Sequence, residues 1–205
     1  MRRSATATAA MLAAVLLAGC QPTATTSPST SPSASTVSPV PTPTYQCTPE
    51  AGGEATPCSQ IQYEDMKAKD RLYAEAEAVY RRILDESTRI IRAGGVTEPT
   101  EVILATTEGK ARDDFMATFE SFAEDGLRAI GDDPTLAMRR EPGISREGSI
   151  VALRVCVDSS GWSFYRGDKL ESRGRVGEDR VYFSRFGENL KAVYVEGRWV
   201  EKCDV

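Results

Sequence analysis

The sequence contains no histidine, and this absence excludes several kinds of site. Histidine is the side chain whose unperturbed pKa lies closest to neutrality, and it is the base in Ser-His-Asp and Cys-His catalytic systems. Those systems are therefore excluded. A zinc site is disfavoured as well, because zinc is usually held by histidines or closely spaced cysteine pairs, and the chain has no Cys-x-x-Cys. We expect no metal, no cofactor and no catalytic residue, and therefore a protein that is not an enzyme.

The sequence also lacks an excess of basic residues. It has 25 lysine and arginine residues against 30 aspartate and glutamate residues, which gives a net charge of −5. Both signs are interspersed along the chain, whereas nucleic-acid-binding proteins concentrate Lys and Arg on one surface. We therefore expect no nucleic-acid partner.

Long hydrophobic runs are missing, but a short one stands near the start. Arg2 and Arg3 precede an apolar stretch from about Ala9 to Gly19. This stretch is shorter than the roughly 20 residues that span a bilayer. A basic start, a short apolar stretch and a small-residue boundary are typical of a secretory signal peptide. An ordinary secretory leader and a short uncleaved anchor helix are the alternatives.

The boundary itself, Leu17-Ala18-Gly19-Cys20, resembles the bacterial lipobox. The resemblance implies cleavage before Cys20, diacylglycerol on the Cys20 sulfur and acylation of the new amino terminus with a fatty acid such as palmitate. Residues 1–19 would then be a lipoprotein signal peptide. We expect a cell-membrane protein that is lipid-anchored through Cys20 on the extracytoplasmic face.

Residues 20–46 are rich in Ser, Thr and Pro and contain few large apolar side chains. Such a segment cannot bury enough apolar surface to offset the entropy lost on ordering. The composition predicts a disordered linker that tethers a folded domain to the membrane.

Four cysteines remain besides Cys20, namely Cys47, Cys58, Cys156 and Cys203. An even number in an exported chain suggests two disulfides, and four cysteines allow three pairings. Pairing the two nearest ones would close a loop containing Gly and Pro at residues 47–59. The other two each lie in a strand-like run, so they could join two strands of a sheet.

Apolar periodicity predicts the order of elements after this loop. Spacings of three and four residues predict a long helix over residues 59–92, then helices over about 99–105 and 110–130. Beyond Pro134 the spacing changes to two, which predicts antiparallel strands, with a polar loop or hairpin tip at 166–179. Because the helices precede the strands, the predicted fold class is α+β.

Four parts of the sequence carry a family resemblance, namely Ala74–Arg82, Val151–Asp158, Gly197–Val200 and Cys203. With the element order, they resemble a group of actinobacterial lipoproteins whose globular part looks like the NTF2-like fold, a cone-shaped α+β fold. The resemblance implies that residues 60–205 form one domain. In that domain three N-terminal helices would pack on a curved antiparallel sheet and enclose a cavity.

Aromatic side chains are the candidate contacts of a ligand or partner. Tyr80, Phe119, Trp162 and Tyr165 are named as such candidates, although aromatic residues at these spacings commonly belong to the core. Trp162 and Tyr165 flank the polar 166–179 segment, a position suited to partner contact. The leading hypothesis is a membrane-tethered domain that binds an extracytoplasmic protein or envelope component.

The alternative hypothesis is a carrier of a small apolar ligand, or an isomerase-like enzyme that uses Tyr and Asp side chains in the cavity. Tyr73, Tyr80, Asp113 and Asp114 could supply such groups. The cavity distinguishes the hypotheses. An open pocket that contains a carboxylate of raised pKa would favour the alternative, and a pocket filled by aromatic side chains would oppose it.

Overall fold

The computed structural model describes residues 44–146 and 148–204. The predicted signal peptide, Cys20 and the linker up to residue 43 lie outside these residues. The linker was expected to extend through residue 46, but Tyr45 already begins a strand.

A short hairpin opens the described chain. Strand β1 spans Tyr45–Cys47 and strand β2 spans Thr56–Cys58, and the two pair antiparallel. A disulfide joins Cys47 to Cys58 across this pair, with the Cα atoms 5.8 Å apart. The hairpin contacts the helix that follows it, because the rings of Tyr45 and Tyr63 have their centroids 5.1 Å apart.

Helix α1, Gln60–Ala93, is the longest element of the described chain. Ser59 and Gln62 form a capping box at its start, in which each side chain accepts a hydrogen bond from the other residue's backbone N–H. Gly94 ends it in the left-handed conformation, with φ 98°. The buried residues of α1 recur at three- and four-residue spacing, so the helix buries one face along most of its length.

Two shorter helices follow, α2 over Glu101–Thr106 and α3 over Gly109–Asp125. The expectation that the third helix reaches Ile130 is wrong. Gly126 adopts φ 62° and terminates α3, and residues Leu127–Ile130 form strand β3 instead. Leu127–Ile130 pair with a later strand, so their hydrogen bonds are made to a sheet rather than within a helix.

The remaining strands are β4 Thr135–Arg140, β5 Val151–Asp158, β6 Ser163–Arg166, β7 Lys169–Arg173, β8 Val176–Phe186 and β9 Asn189–Val200. The described strands pair with one another in antiparallel orientation. They form a four-stranded sheet in the order β4-β5-β8-β9 and a three-stranded sheet in the order β3-β6-β7, besides the β1-β2 hairpin.

The expected NTF2-like arrangement, with three N-terminal helices on one curved antiparallel sheet, is therefore wrong. The nine described strands divide among three sheets, a hairpin precedes the helices, and α1 alone is long. Two local features explain the difference. The stop at Gly126 separates β3 from the helix, and the polar 166–179 segment, expected to be a loop or hairpin tip, contributes β7 and the start of β8.

The main core lies between α1 and one face of the four-stranded sheet, which we call the inner face. Its buried side chains include Tyr80 and Ile83 from the helix and Leu153, Val155 and Val181 from the sheet. A smaller core joins α1, α2 and α3 around Ile90, Ile103, Met116 and Phe119. Within the described residues, no helix combines the length and the apolar character needed to cross a membrane.

The opposite face of the same sheet, the outer face, carries the second disulfide. Cys156, fully buried on β5, is joined to Cys203 just beyond β9, with the Cα atoms 5.7 Å apart. Because β8 lies between β5 and β9, this bridge ties the end of the chain to a central strand across its neighbour.

Candidate functional site

An acidic residue and two glycines interrupt the apolar inner face of the sheet. In the strand register, Val155 stands opposite Asp179, and Asp179 stands opposite Gly197. Since residues two apart on a strand share a face, Gly177 and Asp179 point to the same side as the buried Val181. Glycines inside strands leave space in front of a sheet, and here they leave it at the level of the carboxylate.

The space in front of these residues is a cavity of about 420 Å³ that lies between α1, α3 and the sheet. This volume is in the range of small-molecule sites. Its walls are mostly apolar or aromatic, formed by Tyr80, Ile83, Leu84, Ile91, Phe115, Pro134, Val157, Trp162 and Trp199. Its polar lining consists of Ser87, Thr88, Ser159, Asp179 and Arg198, with Gly177 and Gly197 at the sheet.

Asp179 is the acidic group of the cavity. No described side chain or backbone N–H donates a hydrogen bond to its carboxylate, and no described cation forms an ion pair with it. Burial raises the pKa of Asp179 to about 6, and the charge of the adjacent Glu178 adds to the effect. The carboxylate can therefore gain or lose its proton within the physiological range.

Gly197 lies directly beside this carboxylate. A Cβ atom built on Gly197 would lie 2.3 Å from Oδ1 of Asp179, closer than any real contact. Gly177 differs, since a Cβ there would lie 3.6 Å from the Trp199 ring, an ordinary van der Waals distance. The carboxylate thus occupies the space that a side chain at position 197 would fill.

Helix α1 contributes three hydroxyl-bearing residues to the cavity lining, Tyr80, Ser87 and Thr88. Tyr80 is 4% exposed, and burial together with the charge of Asp179 raises the pKa of its phenol, which stays protonated. Ser87 lies two turns further along the same face. Its hydroxyl oxygen is buried and has no hydrogen-bond partner among the described residues. Such orphaned groups are uncommon in folded proteins, and each of them calls for an explanation.

Two tryptophans stand at different depths of the cavity. Trp162 is buried, and its indole N–H donates to the backbone oxygen of Asp132 at 2.7 Å, which fixes the ring. Trp199 is 69% exposed and covers Gly177, so the cavity opens to solvent beside it. The Arg175 guanidinium lies 6.0 Å from the Trp199 ring centroid.

Ion pairs on the outer face hold the strands that carry the site. Glu141 accepts hydrogen bonds from Nε of Arg154 at 2.5 Å and from Nε of Arg180 at 2.9 Å. Although burial opposes it, these two guanidinium groups keep the pKa of Glu141 below its usual value. Arg198 donates to Glu178 through Nε and Nη2, at 3.1 and 2.6 Å, so its guanidinium is already occupied.

The residues named from the sequence fall in different places. Tyr80 and Trp162 line the cavity. Phe119 belongs instead to the smaller core, where it is 1% exposed. Tyr165 lies on β6, opposite Arg128 of β3, and does not line the cavity. Cys20 lies outside the described residues.

The other residues named as candidates for acid–base chemistry lie outside the cavity. The Tyr73 hydroxyl donates to Glu50 at 2.9 Å, close to the N-terminal hairpin. Asp114 forms an ion pair with Lys110 on the surface of α3, and Asp113 is exposed on that helix. Across the described residues, no group of three His, Cys, Asp or Glu side chains could hold a metal ion.

Sequence reasoning missed Asp179, Ser87 and the two glycines. Asp179 ends the 166–179 segment, for which the sequence predicts a polar loop or hairpin tip. A signal was nevertheless available, because Gly177, Asp179 and Val181 alternate with Glu178 and Arg180. A strand of period two places the acid on the same face as the valine, where a polar residue is unexpected.

No family model matches the chain, and no curated protein matches it. Among solved structures, it is similar to the intermembrane space region of the chloroplast protein ARC6, at 15% identity and a TM-score of 0.39. The match covers 62% of this chain and 95% of that one. A likeness of this degree indicates neither a shared activity nor shared partners.

Proposed function

We propose that this chain is a lipid-anchored extracytoplasmic protein that binds a small, mostly apolar molecule in the cavity between α1 and the four-stranded sheet. The observation that carries the proposal is the pairing of an open apolar cavity with polar groups that the described residues leave unsatisfied. An open pocket with a carboxylate of raised pKa is the feature expected of the ligand-carrier hypothesis rather than of the protein-partner hypothesis.

The unsatisfied groups support ligand binding because they are costly to the protein alone. Burying a polar group without a hydrogen-bond partner costs free energy, and burying a charge without a partner costs more. Leucine or valine would line the same space without that cost. Ser87, whose buried hydroxyl oxygen has no partner, and Asp179, whose partly buried carboxylate has a raised pKa, therefore fit a site in which a ligand supplies hydrogen-bond partners.

Location is proposed on two grounds. Leu17-Ala18-Gly19-Cys20 resembles the lipobox, so Cys20 is the proposed attachment point for the membrane. The two disulfides support an oxidising compartment, because disulfides are rare in reducing cytosol.

Binding is better supported than catalysis. A carboxylate with a pKa near 6 could act as a general base. A catalytic base is usually oriented by a hydrogen-bonded partner, and no described residue orients Asp179 in this way. We therefore keep the expectation that the protein is not an enzyme as a prediction.

The proposed binding site can be tested by a substitution on α1 that fills part of the cavity. Ser87→Leu places a larger apolar side chain in the cavity, and we expect it to weaken binding of a fluorescent naphthalene-based apolar probe by at least about tenfold, roughly the effect of 1.4 kcal/mol. Ala78→Leu is the matched control, because Ala78 is exposed on the same helix and does not line the cavity. Equal probe affinity in both variants and the parent chain would show that the probe does not occupy this cavity.

A further inference from the structure

Charge is unevenly distributed around the cavity. Its described lining contains three ionisable side chains, namely Tyr80, Asp179 and Arg198. The phenol is neutral, and the Arg198 guanidinium is bonded to Glu178. The carboxylate of Asp179 is thus the one charge in this lining that no described residue compensates.

We propose that the ligand is a hydrophobic amine, whose ammonium group binds the Asp179 carboxylate while its apolar body lies among the aromatic walls. This inference rests on the proposed ligand-binding function and names the chemical class of the ligand.

The chemistry of the site favours a cation over an anion or a neutral molecule. An anionic ligand would be repelled by Asp179, with Glu178 adjacent in the chain. An ammonium donates charge-assisted hydrogen bonds, which are roughly twice as strong as bonds between neutral groups. The Trp162 and Trp199 rings supply apolar surface for the body of the ligand, since each ring already has a guanidinium, of Arg92 and of Arg175, 6.0 Å from its centroid.

The hydroxyl groups of α1 complete the fit. Tyr80 and Ser87 reach the cavity from the helix, opposite the sheet that carries Asp179. The Ser87 oxygen can accept a hydrogen bond from an ammonium group or from a polar substituent near it. One ligand can therefore satisfy the acceptors of both walls, whereas a purely apolar ligand would satisfy neither.

Binding of such an amine would depend on pH in a defined direction. An alkylamine, like the lysine side chain, stays protonated up to a pH of about 10. Asp179 loses its charge as the pH falls through about 6 in the free protein, so affinity should fall below that pH. Around Asp179, Tyr80 on α1 stays neutral, and the guanidinium of Arg198 on β9 is bonded to Glu178 on β8. Helix α3 and strand β5 line the cavity with the apolar side chains of Phe115 and Val157.

The experiment compares two probes of nearly equal shape, naphthylethylamine and naphthylethanol, by calorimetric titration of the full chain. At about pH 8 we expect the amine to bind at least about tenfold more tightly than the alcohol, as one charge-assisted hydrogen bond allows. That preference should shrink at about pH 5. Asp179→Asn should reduce the affinity for the amine to that for the alcohol, while Asp113→Asn, at an exposed carboxylate of α3, should keep the parent preference.

The outcomes separate this inference from the function on which it rests. If both probes bind equally at both pH values, the amine assignment is wrong and the ligand-binding function stands. If neither probe binds, both proposals are overturned. The pH dependence of the parent chain decides the matter even where Asp179→Asn does not fold.

Discussion

At the scale of single residues, Asp179 links the stability of the protein to its proposed function. Its carboxyl has a folded-state pKa of about 6 against an ordinary value of 3.8. A raised carboxyl pKa means that the folded state holds the proton more tightly than the unfolded chain. Between about pH 4 and pH 6 this group therefore subtracts stability as the pH rises. Below about pH 4 this carboxyl is protonated in both the folded and the unfolded state, so it does not lower the unfolding free energy. Above about pH 6 the full loss of unfolding free energy is present.

The first prediction concerns this slope. One pKa unit corresponds to about 1.4 kcal/mol, so the penalty at neutral pH is about 3 kcal/mol. We expect urea denaturation to show that Asp179→Asn lacks this loss of unfolding free energy between about pH 4 and pH 7. Asp113→Asn should retain the loss. A parent chain and an Asp179→Asn variant with parallel pH profiles would contradict the burial of this carboxylate.

A second prediction concerns the contact between Gly197 and Asp179. A Cβ at Gly197 would overlap Oδ1 of Asp179, so Gly197→Ala should displace that carboxylate and destabilise the fold by about 1 kcal/mol, the lower end of the overpacking range, because the carboxylate can rotate away. Gly177→Ala should be tolerated, because its Cβ would meet the Trp199 ring at 3.6 Å. In an Asp179→Ala background, the cost of Gly197→Ala should largely disappear. Additive costs in that double-mutant cycle would show that the two residues do not interact.

At the scale of elements, local signals predicted the helices better than the sheets. The long α1 could be predicted because its apolar spacing, its Ser59 cap and its Gly94 stop agree. The end of α3 was misplaced because Leu127 and Ile130 continue a helical spacing, and the left-handed conformation of Gly126 overrides it. The division into three sheets depends on long-range pairing, such as β3 with β6, which periodicity within one segment does not encode.

Only some residues of the candidate site could be predicted from the sequence, for a related reason. Tyr80 and Trp162 could be named because large aromatic residues are conspicuous in a sequence. The cavity itself results from side chains that are absent, at Gly177 and Gly197, and from a register that sets Gly197 beside Asp179. A cavity of this kind can be recognised only when the register between the strands and their packing against α1 are known.

A third prediction compares the two disulfides as elements of the fold. In the chain-entropy model the Cys156–Cys203 bridge, with a separation of 47 residues, stabilises by about 4 kcal/mol. The Cys47–Cys58 bridge, with a separation of 11, stabilises by about 3 kcal/mol. The longer bridge also holds the end of β9, where Trp199 lines the cavity.

Replacing each pair with alanine should therefore have different effects on function. We expect the Cys156/Cys203 double variant to bind the apolar probe more weakly under conditions where it remains folded. The Cys47/Cys58 double variant should bind it as the parent chain does, because the hairpin does not line the cavity. Probe affinity measured alongside circular dichroism would check this, and equal losses in both variants would contradict a specific role for the longer bridge.

At the scale of the whole molecule, the proposed anchor and the proposed binding site lie in separate parts of the chain. The part of the predicted linker that precedes β1, residues 20–44, would reach at most roughly 80 Å if extended at about 3.1 Å per residue. The described domain begins with a hairpin that is bridged by its own disulfide and packed on α1 through Tyr45 and Tyr63. This hairpin does not line the cavity.

The last prediction separates anchorage from ligand binding. A single acyl chain holds a protein to a membrane only marginally, whereas two or more hold it stably, so loss of the lipid site should release the protein. In a bacterial host, Cys20→Ser should abolish incorporation of labelled palmitate and move the protein from the membrane fraction to the soluble fraction. Cys47→Ser, which replaces a different cysteine, one bridged to Cys58 in the hairpin, should leave both readouts unchanged. The Cys20→Ser protein should still bind the apolar probe with the affinity of the parent chain, because the cavity residues lie between 80 and 199.

Palmitate labelling that persists in Cys20→Ser would refute the anchor, and a loss of probe binding in that variant would refute the independence of anchor and cavity.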